Sequence, residues 1–153
     1  LSTEQIARYH RDGYLVPDFR MPVQTLEAIK ARYAALLERE PRFRDYCPML
    51  IDYDPGFLDY CDNDEILDMV SQLIGPDIAL WNTSFFAKPA GNGKRTPWHQ
   101  DGEYWPIRPL ATCTIWIALD PSTSENGCLR VIPGSHRSGV THPHLMEHRE
   151  DIC

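Results

Sequence analysis

The sequence predicts an α+β fold in which helices come first and antiparallel strands follow. Two observations predict it. Through residues 1–76, apolar side chains recur at helical spacing, and this pattern stops at Gly75-Pro76. From Asp77 onward, aromatic and β-branched residues replace the helical period, which favours strands. Helices followed by a run of strands indicate α+β rather than an alternating α/β fold.

Three helices are predicted in the first half, over residues 2–13, 23–37 and 64–74. The first begins at Ser2, which has capping-box spacing with Gln5, and it ends at Gly13. The second shows helical periodicity over about five turns. The third ends at Gly75-Pro76, a typical stop signal. Residues 41–55 have no period and include three prolines, so they are predicted to form a loop.

Strands are predicted in the second half. In the strand over 112–119, the odd-numbered residues face one way, and Trp116 faces the other with its even-numbered neighbours. Turn residues 121–127, which end in Asn126-Gly127, join it to a second strand over 128–132. Because no repeat or linker is visible, we expect residues 1–153 to form a single domain.

Composition excludes several classes of function. Of the 153 residues, Lys and Arg number 15 and Asp and Glu 22, so the formal charge is −7, which argues against a nucleic-acid or anionic-membrane partner. No apolar run reaches the roughly 18 residues of a membrane helix, and no secretory signal is visible. Five cysteines without a CxxC pair favour neither a disulfide framework nor a zinc ribbon, so a reducing, cytoplasmic compartment is expected.

The segment Trp98-His99-Gln100-Asp101 is the most informative for chemistry. In an extended backbone, residues i and i+2 project to the same side, so His99 and Asp101 can converge on one cation. One imidazole and one carboxylate are two of the three ligands in the facial triad that holds ferrous iron in oxygenases. A bare HxD pattern also occurs by chance, and its alternative is a surface turn with a solvated His99.

Three sequence segments, which follow one another in a fixed order, favour a metal site over a surface turn: 98–106, 116–120 and 125–136. With these segments, the sequence from about Ser2 to His144 resembles the phytanoyl-CoA dioxygenase family of Fe(II)- and 2-oxoglutarate-dependent oxygenases. The resemblance implies a double-stranded β-helix, or jelly roll, whose first part would cover residues 77–153 after N-terminal helices over 1–76. It also implies Fe(II), 2-oxoglutarate and O2 as cofactors.

The resemblance carries roles over to four residues. His99 and Asp101 match the first two iron ligands of the family. Trp116 matches a tryptophan that lies against 2-oxoglutarate in relatives, and Ser84 matches a position that also touches it. The family's third iron ligand is a later histidine, and an arginine after it binds the cosubstrate. Neither can be matched to a residue of this chain. About half of the eight strands of a jelly roll are visible, so we expect the C-terminal part to be missing.

The remaining histidines are assigned no ligand role. His136 belongs to a Pro-Gly-Ser-His turn, which is expected to be structural. His142, His144 and His148 lie in a polar tail and are expected to be solvated.

Three functions are compared. The first is an oxygenase that hydroxylates a small organic substrate while 2-oxoglutarate is decarboxylated to succinate and CO2. The second is a non-catalytic jelly-roll domain that binds a small carboxylate or a metal. The third is a cupin-like metal isomerase or a dioxygenase without cosubstrate, against which the lack of a second HxH argues.

Overall fold

The computed structural model describes residues 1–145, 149 and 151–152. Its α-helices are α1 (Thr3–Asp12), α2 (Val23–Arg39), α3 (Leu50–Tyr53) and α4 (Asp64–Ile74). Short 3-10 helices span Pro41–Phe43, Pro55–Tyr60, Asp101–Glu103 and Ser135–Ser138. The strands are β1 (Tyr46–Cys47) and β2 (Phe85–Phe86), which pair antiparallel.

Local capping chemistry sets the bounds of α1. The Ser2 hydroxyl accepts the Gln5 N–H at 3.1 Å, and the Gln5 side chain accepts the Ser2 N–H at 2.7 Å. Gly13 closes the helix in the left-handed region, with φ 85°, and donates its N–H to the Tyr9 carbonyl at 2.7 Å. Both ends of the predicted first helix are therefore confirmed.

The other two predicted helices are also confirmed. Helix α2 begins at Val23, as predicted, and runs two residues past the predicted end. Helix α4 matches its prediction at both ends, because Asn63 caps it through the Ile66 N–H at 3.1 Å and Gly75 ends it with φ 97°.

The prediction of a loop over 41–55 is wrong in part, because this segment contains β1, α3 and two 3-10 turns. In β1, Tyr46 pairs with Phe86 and Cys47 with Phe85. Two flanking hydrogen bonds extend this contact, from Ala87 N–H to Asp45 at 2.9 Å and from Leu50 N–H to Thr83 at 2.8 Å. A pairing between residues 40 apart depends on the partner strand, which local composition does not reveal.

The hydrophobic core lies in the helical half. Its buried members are Ile29, Tyr33, Leu36, Phe43, Cys47, Leu50 and Phe57. Tyr33 stacks on Phe85, with ring centroids 3.9 Å apart, and donates its hydroxyl to the Phe43 carbonyl at 2.5 Å. Burial raises the pKa of Tyr33 to about 12. These contacts fix β2 against α2.

An ion pair joins α2 to the segment after α3. Arg32 donates Nε to Asp54 Oδ2 at 3.0 Å and Nη2 to Oδ1 at 2.5 Å, and Asp54 also accepts the Gly56 N–H at 3.2 Å. These hydrogen bonds, led by that of Arg32, hold the pKa of Asp54 below its usual value. The arrangement packs the 3-10 turn at Pro55–Tyr60 against α2.

The strands predicted over 112–119 and 128–132 are not observed. Among the described residues, neither segment has a hydrogen-bonded partner strand, and no residue from 71 to 145 is buried. Trp116 is 49% exposed and Leu129 61%. A strand needs a neighbour for its backbone groups and a second layer for its apolar face, and the described part of the chain supplies neither. A jelly-roll core is thus not observed there.

The turn predicted over 121–127 does form. The side chain of Asn126 accepts the Thr123 N–H at 2.8 Å, and Cys128 donates its N–H to the Thr123 carbonyl at 3.0 Å. Gly127 has φ 87°, as an Asn-Gly turn permits. The predicted turn is therefore confirmed, although no strand flanks it in the part of the chain that the structure describes.

None of the helices in the described residues is both long and apolar enough to cross a bilayer. The described residues include four cysteines, and all four are free thiols: Cys47, Cys61, Cys113 and Cys128. Cys153 lies outside the described residues.

The Pro-Gly-Ser-His turn has a structural role, as expected from its residues. It docks on the C-terminus of α1, where Gly134 donates its N–H to the Asp12 carbonyl at 2.8 Å. The His136 Nε2 donates to the His10 carbonyl at 2.9 Å. This turn therefore ties the second half of the chain to α1, because the Gly134 N–H and His136 Nε2 satisfy two carbonyls that the helix end leaves free.

Gly13→Ala is expected to destabilise the fold by about 2 kcal/mol or more, since two costs add. A Cβ at Gly13 would lie 2.4 Å from His136 Nδ1, at a φ of +85° that disfavours alanine. Gly139→Ala is the matched control, because Gly139 has φ +66° and open space around a Cβ. Urea unfolding of both variants should show the larger loss at Gly13, and equal losses would contradict the docking of His136.

Candidate metal centre

His99 and Asp101 converge as predicted. Gln100, between them, is extended, with φ −121° and ψ 120°, so its two neighbours project to the same side. His99 Nε2 lies 3.1 Å from Asp101 Oδ1. Their side chains are 34% and 45% exposed. The pair is therefore accessible from solvent.

A second contact decides which nitrogen of His99 carries hydrogen. His99 Nδ1 lies 2.8 Å from the Pro97 carbonyl oxygen. A carbonyl only accepts, so Nδ1 must donate, and in the neutral ring the lone pair is then on Nε2. That lone pair faces a carboxylate oxygen of Asp101, and two such groups repel unless a proton or a metal cation lies between them.

The donor set fits two ligands of a divalent metal ion. Two donors at right angles around one ion, each about 2.1 Å away, are about 3 Å apart. The observed 3.1 Å agrees with that distance, and a histidine anchored through its other nitrogen is the usual arrangement in metal sites. Among the described residues, however, no group of three His, Cys, Asp or Glu side chains is arranged to hold a metal.

Trp116 and Ser84, the two residues predicted to contact the cosubstrate, lie in different surroundings. Thr114 Oγ1 is 3.5 Å from Asp101 Oδ2, which brings the segment 112–119 beside the pair. Trp116, two residues further on, lines a groove of about 430 Å³ whose other walls include Tyr14 and Leu129. Ser84 is exposed and forms no hydrogen bond with another described residue. The roles of Trp116 and Ser84 stay predictions.

His144 is the residue near the pair that sequence reasoning missed. The expectation that it is solvated is wrong, because its Nε2 accepts the Gln100 N–H at 3.0 Å. Its ring centroid lies 4.8 Å from that of Tyr104 and 6.4 Å from that of His99. Gln100 and His144 are 44 positions apart, so no local pattern in the sequence signals this contact. His142 is exposed, as expected, and His148 lies outside the described residues.

The segment around His144 is attached to the turn that carries His99 and Asp101 at two further points. The His142 N–H donates to Gln100 Oε1 at 2.8 Å, and Thr141 Oγ1 donates to Glu103 Oε2 at 2.5 Å. Residues 141–144 thus form a strap across residues 100–103. The strap therefore contacts both the backbone N–H and the side-chain Oε1 of Gln100.

Comparisons with known proteins identify the family of this chain. The family model for phytanoyl-CoA dioxygenase (PhyH) matches residues 9–151. A probable phytanoyl-CoA dioxygenase of Caenorhabditis elegans is 31% identical, over 94% of this chain and 55% of that protein. The peroxisomal phytanoyl-CoA dioxygenase of Homo sapiens is 30% identical, over 94% of this chain and 50% of that protein.

A relative with a different named substrate also matches. The L-proline trans-4-hydroxylase of Streptomyces griseoviridis is 30% identical, over 94% of this chain and 58% of that protein. No solved structure matches the chain significantly. The chain spans about half the length of the curated relatives it matches. Since the family model covers nearly all of the sequence, the chain belongs to the phytanoyl-CoA dioxygenase (PhyH) family.

Proposed function

We propose that this protein is an Fe(II)- and 2-oxoglutarate-dependent dioxygenase that hydroxylates a small organic substrate. Hydroxylation would be coupled to decarboxylation of 2-oxoglutarate to succinate and CO2. The observation that carries the proposal is the His99–Asp101 pair, in which His99 Nε2 lies 3.1 Å from Asp101 Oδ1 and Nδ1 contacts the Pro97 carbonyl oxygen. Membership of the PhyH family supports the same chemistry.

Each residue of the site has a separate task in this proposal. His99 Nε2 and Asp101 hold the iron, and the Pro97 carbonyl keeps the His99 ring in the tautomer that a metal needs. Trp116 and Ser84 contact 2-oxoglutarate, as the family resemblance implies. Bound iron would supply the redox chemistry that couples 2-oxoglutarate to dioxygen. A carboxylate at Asp101 occupies the position that a halide needs in related halogenating enzymes, so it favours hydroxylation.

The fold and setting of the enzyme are part of the proposal. We propose that residues 1–153 form one domain in which residues 77–153 belong to the jelly roll. The alternating residues of 112–119 and the Asn-Gly turn after them support it. The free thiols of the described residues and the absence of a CxxC pair support a reducing, cytoplasmic compartment.

The alternative is a domain that binds a metal or a small carboxylate without turnover. One observation favours it. The described residues offer two metal ligands rather than three, and two protein ligands hold iron less tightly than a complete triad.

Anaerobic titration of the protein with Fe(II) and then 2-oxoglutarate tests the proposal. Bidentate chelation should produce a weak visible charge-transfer band. Succinate is the control cosubstrate, because it lacks the keto group and should give no band. Admission of air should then release succinate from 2-oxoglutarate. An iron-loaded, folded protein without a band would contradict the oxygenase and leave the binding domain.

A further inference from the structure

His144 lies beside the proposed iron ligands, but its contacts differ from those of a ligand. Its Nε2 accepts the backbone N–H of Gln100, the residue between His99 and Asp101. Its Nδ1 is buried and has no hydrogen-bond partner among the described residues. The ring packs against Tyr104.

The hydrogen bond to Gln100 fixes the tautomer of His144. A backbone N–H only donates, so Nε2 must present its lone pair to it. In the neutral imidazole, Nδ1 then carries the hydrogen. A metal ligand needs a free lone pair, and neither nitrogen of His144 has one while this bond is intact.

Stability alone does not account for this arrangement. A buried N–H without an acceptor costs about 1–3 kcal/mol, comparable to what one hydrogen bond contributes. The His144 imidazole is nevertheless held at the turn that carries His99 and Asp101. The same strap also contacts the side chain of Gln100, through the His142 N–H. Its location therefore indicates a role in the geometry of that turn.

We propose that His144 is a positioning residue of the metal centre and not its third ligand. It holds the Gln100 backbone in the extended conformation that places His99 and Asp101 on one side. This inference rests on the proposed function, since it requires that the pair binds a metal. Partners of metal ligands that orient them typically contribute a factor of about 10–100 in metal affinity.

Co(II) binding under anaerobic conditions, followed by visible absorption, tests this role. His144→Phe keeps a ring against Tyr104 but cannot accept the Gln100 N–H, so Co(II) should bind about tenfold more weakly. His144→Gln offers an amide oxygen near the position of Nε2 and should restore binding to within about threefold of wild type. His142→Phe is the matched control, because the His142 side chain is exposed and only its backbone contacts Gln100.

The outcomes separate the two proposals. Wild-type affinity in a folded His144→Phe protein would overturn the positioning role alone. A loss of two orders of magnitude or more without rescue by His144→Gln would indicate a ligand and overturn it as well. No Co(II) binding by the wild-type protein would overturn the proposed function, and the positioning role with it.

A metal-free measurement covers the case in which His144→Phe does not fold. Imidazole ¹⁵N shifts of the wild-type protein report which nitrogen carries hydrogen. The proposal requires His144 in the Nδ1–H form with Nε2 as the acceptor. The opposite tautomer would overturn it.

Discussion

His99→Ala is expected to weaken binding of Co(II) or Fe(II) by at least about a hundredfold. Removal of a ligand costs more than the roughly 10–100-fold lost when a partner of a ligand is removed. The variant also leaves Asp101 with no nitrogen donor at 3.1 Å. Equilibrium dialysis with Co(II), together with the visible absorption of the bound ion, measures the loss.

A histidine elsewhere provides the control for this variant. The ring of His10 is exposed on α1, far from His99 in sequence, and the hydrogen bond from His136 is accepted by its backbone carbonyl. His10→Ala should therefore keep the wild-type affinity for Co(II). If both variants bind Co(II) equally well, the metal is held elsewhere and the assignment of His99 is wrong.

Leu36→Ala is expected to lower the free energy of unfolding by about 3 kcal/mol, within the 2–5 kcal/mol typical of such truncations. Leu36 is 1% exposed and belongs to the core cluster of the helical half. The truncation leaves a cavity in a cluster that also contains Tyr33, which stacks on Phe85. Urea unfolding monitored by far-UV circular dichroism gives the change.

Leu129→Ala is the matched leucine truncation in the second half. Leu129 is 61% exposed, so its loss should change the free energy of unfolding by less than about 0.5 kcal/mol. Similar effects of the two truncations would contradict the location of the core. A larger effect at Leu129 would indicate that the second half has a packed layer of its own.

Features with local causes could be predicted from the sequence. The capping box at Ser2 and the asparagine and glycine at the ends of α4 fix helix bounds through contacts within a few residues. The His99–Asp101 pair is equally local, because one extended residue between them determines that they share a side. Helix limits and the core of the candidate site were therefore accessible without a structure.

Features with distant causes could not be predicted in this way. The pairing of β1 with β2 and the contact between His144 and Gln100 each join segments about 40 residues apart. Alternation over 112–119 predicts a strand, but alternation describes one face of a segment and does not supply the neighbour that pairs with it. The hydrogen bonds expected of this strand are not observed among the described residues.

The uneven distribution of buried side chains has a consequence for local unfolding. Between residues 71 and 145 no residue is buried as a whole, and His99 and Asp101 lie in this stretch. Segments with few buried contacts open at low free-energy cost, so a protease should cut this stretch before the helical half. A metal ion that binds this stretch only when it is folded would lower the fraction of molecules in which the stretch is locally unfolded. The decrease would grow with the ion concentration divided by its dissociation constant. Protection from proteolysis would then follow metal saturation.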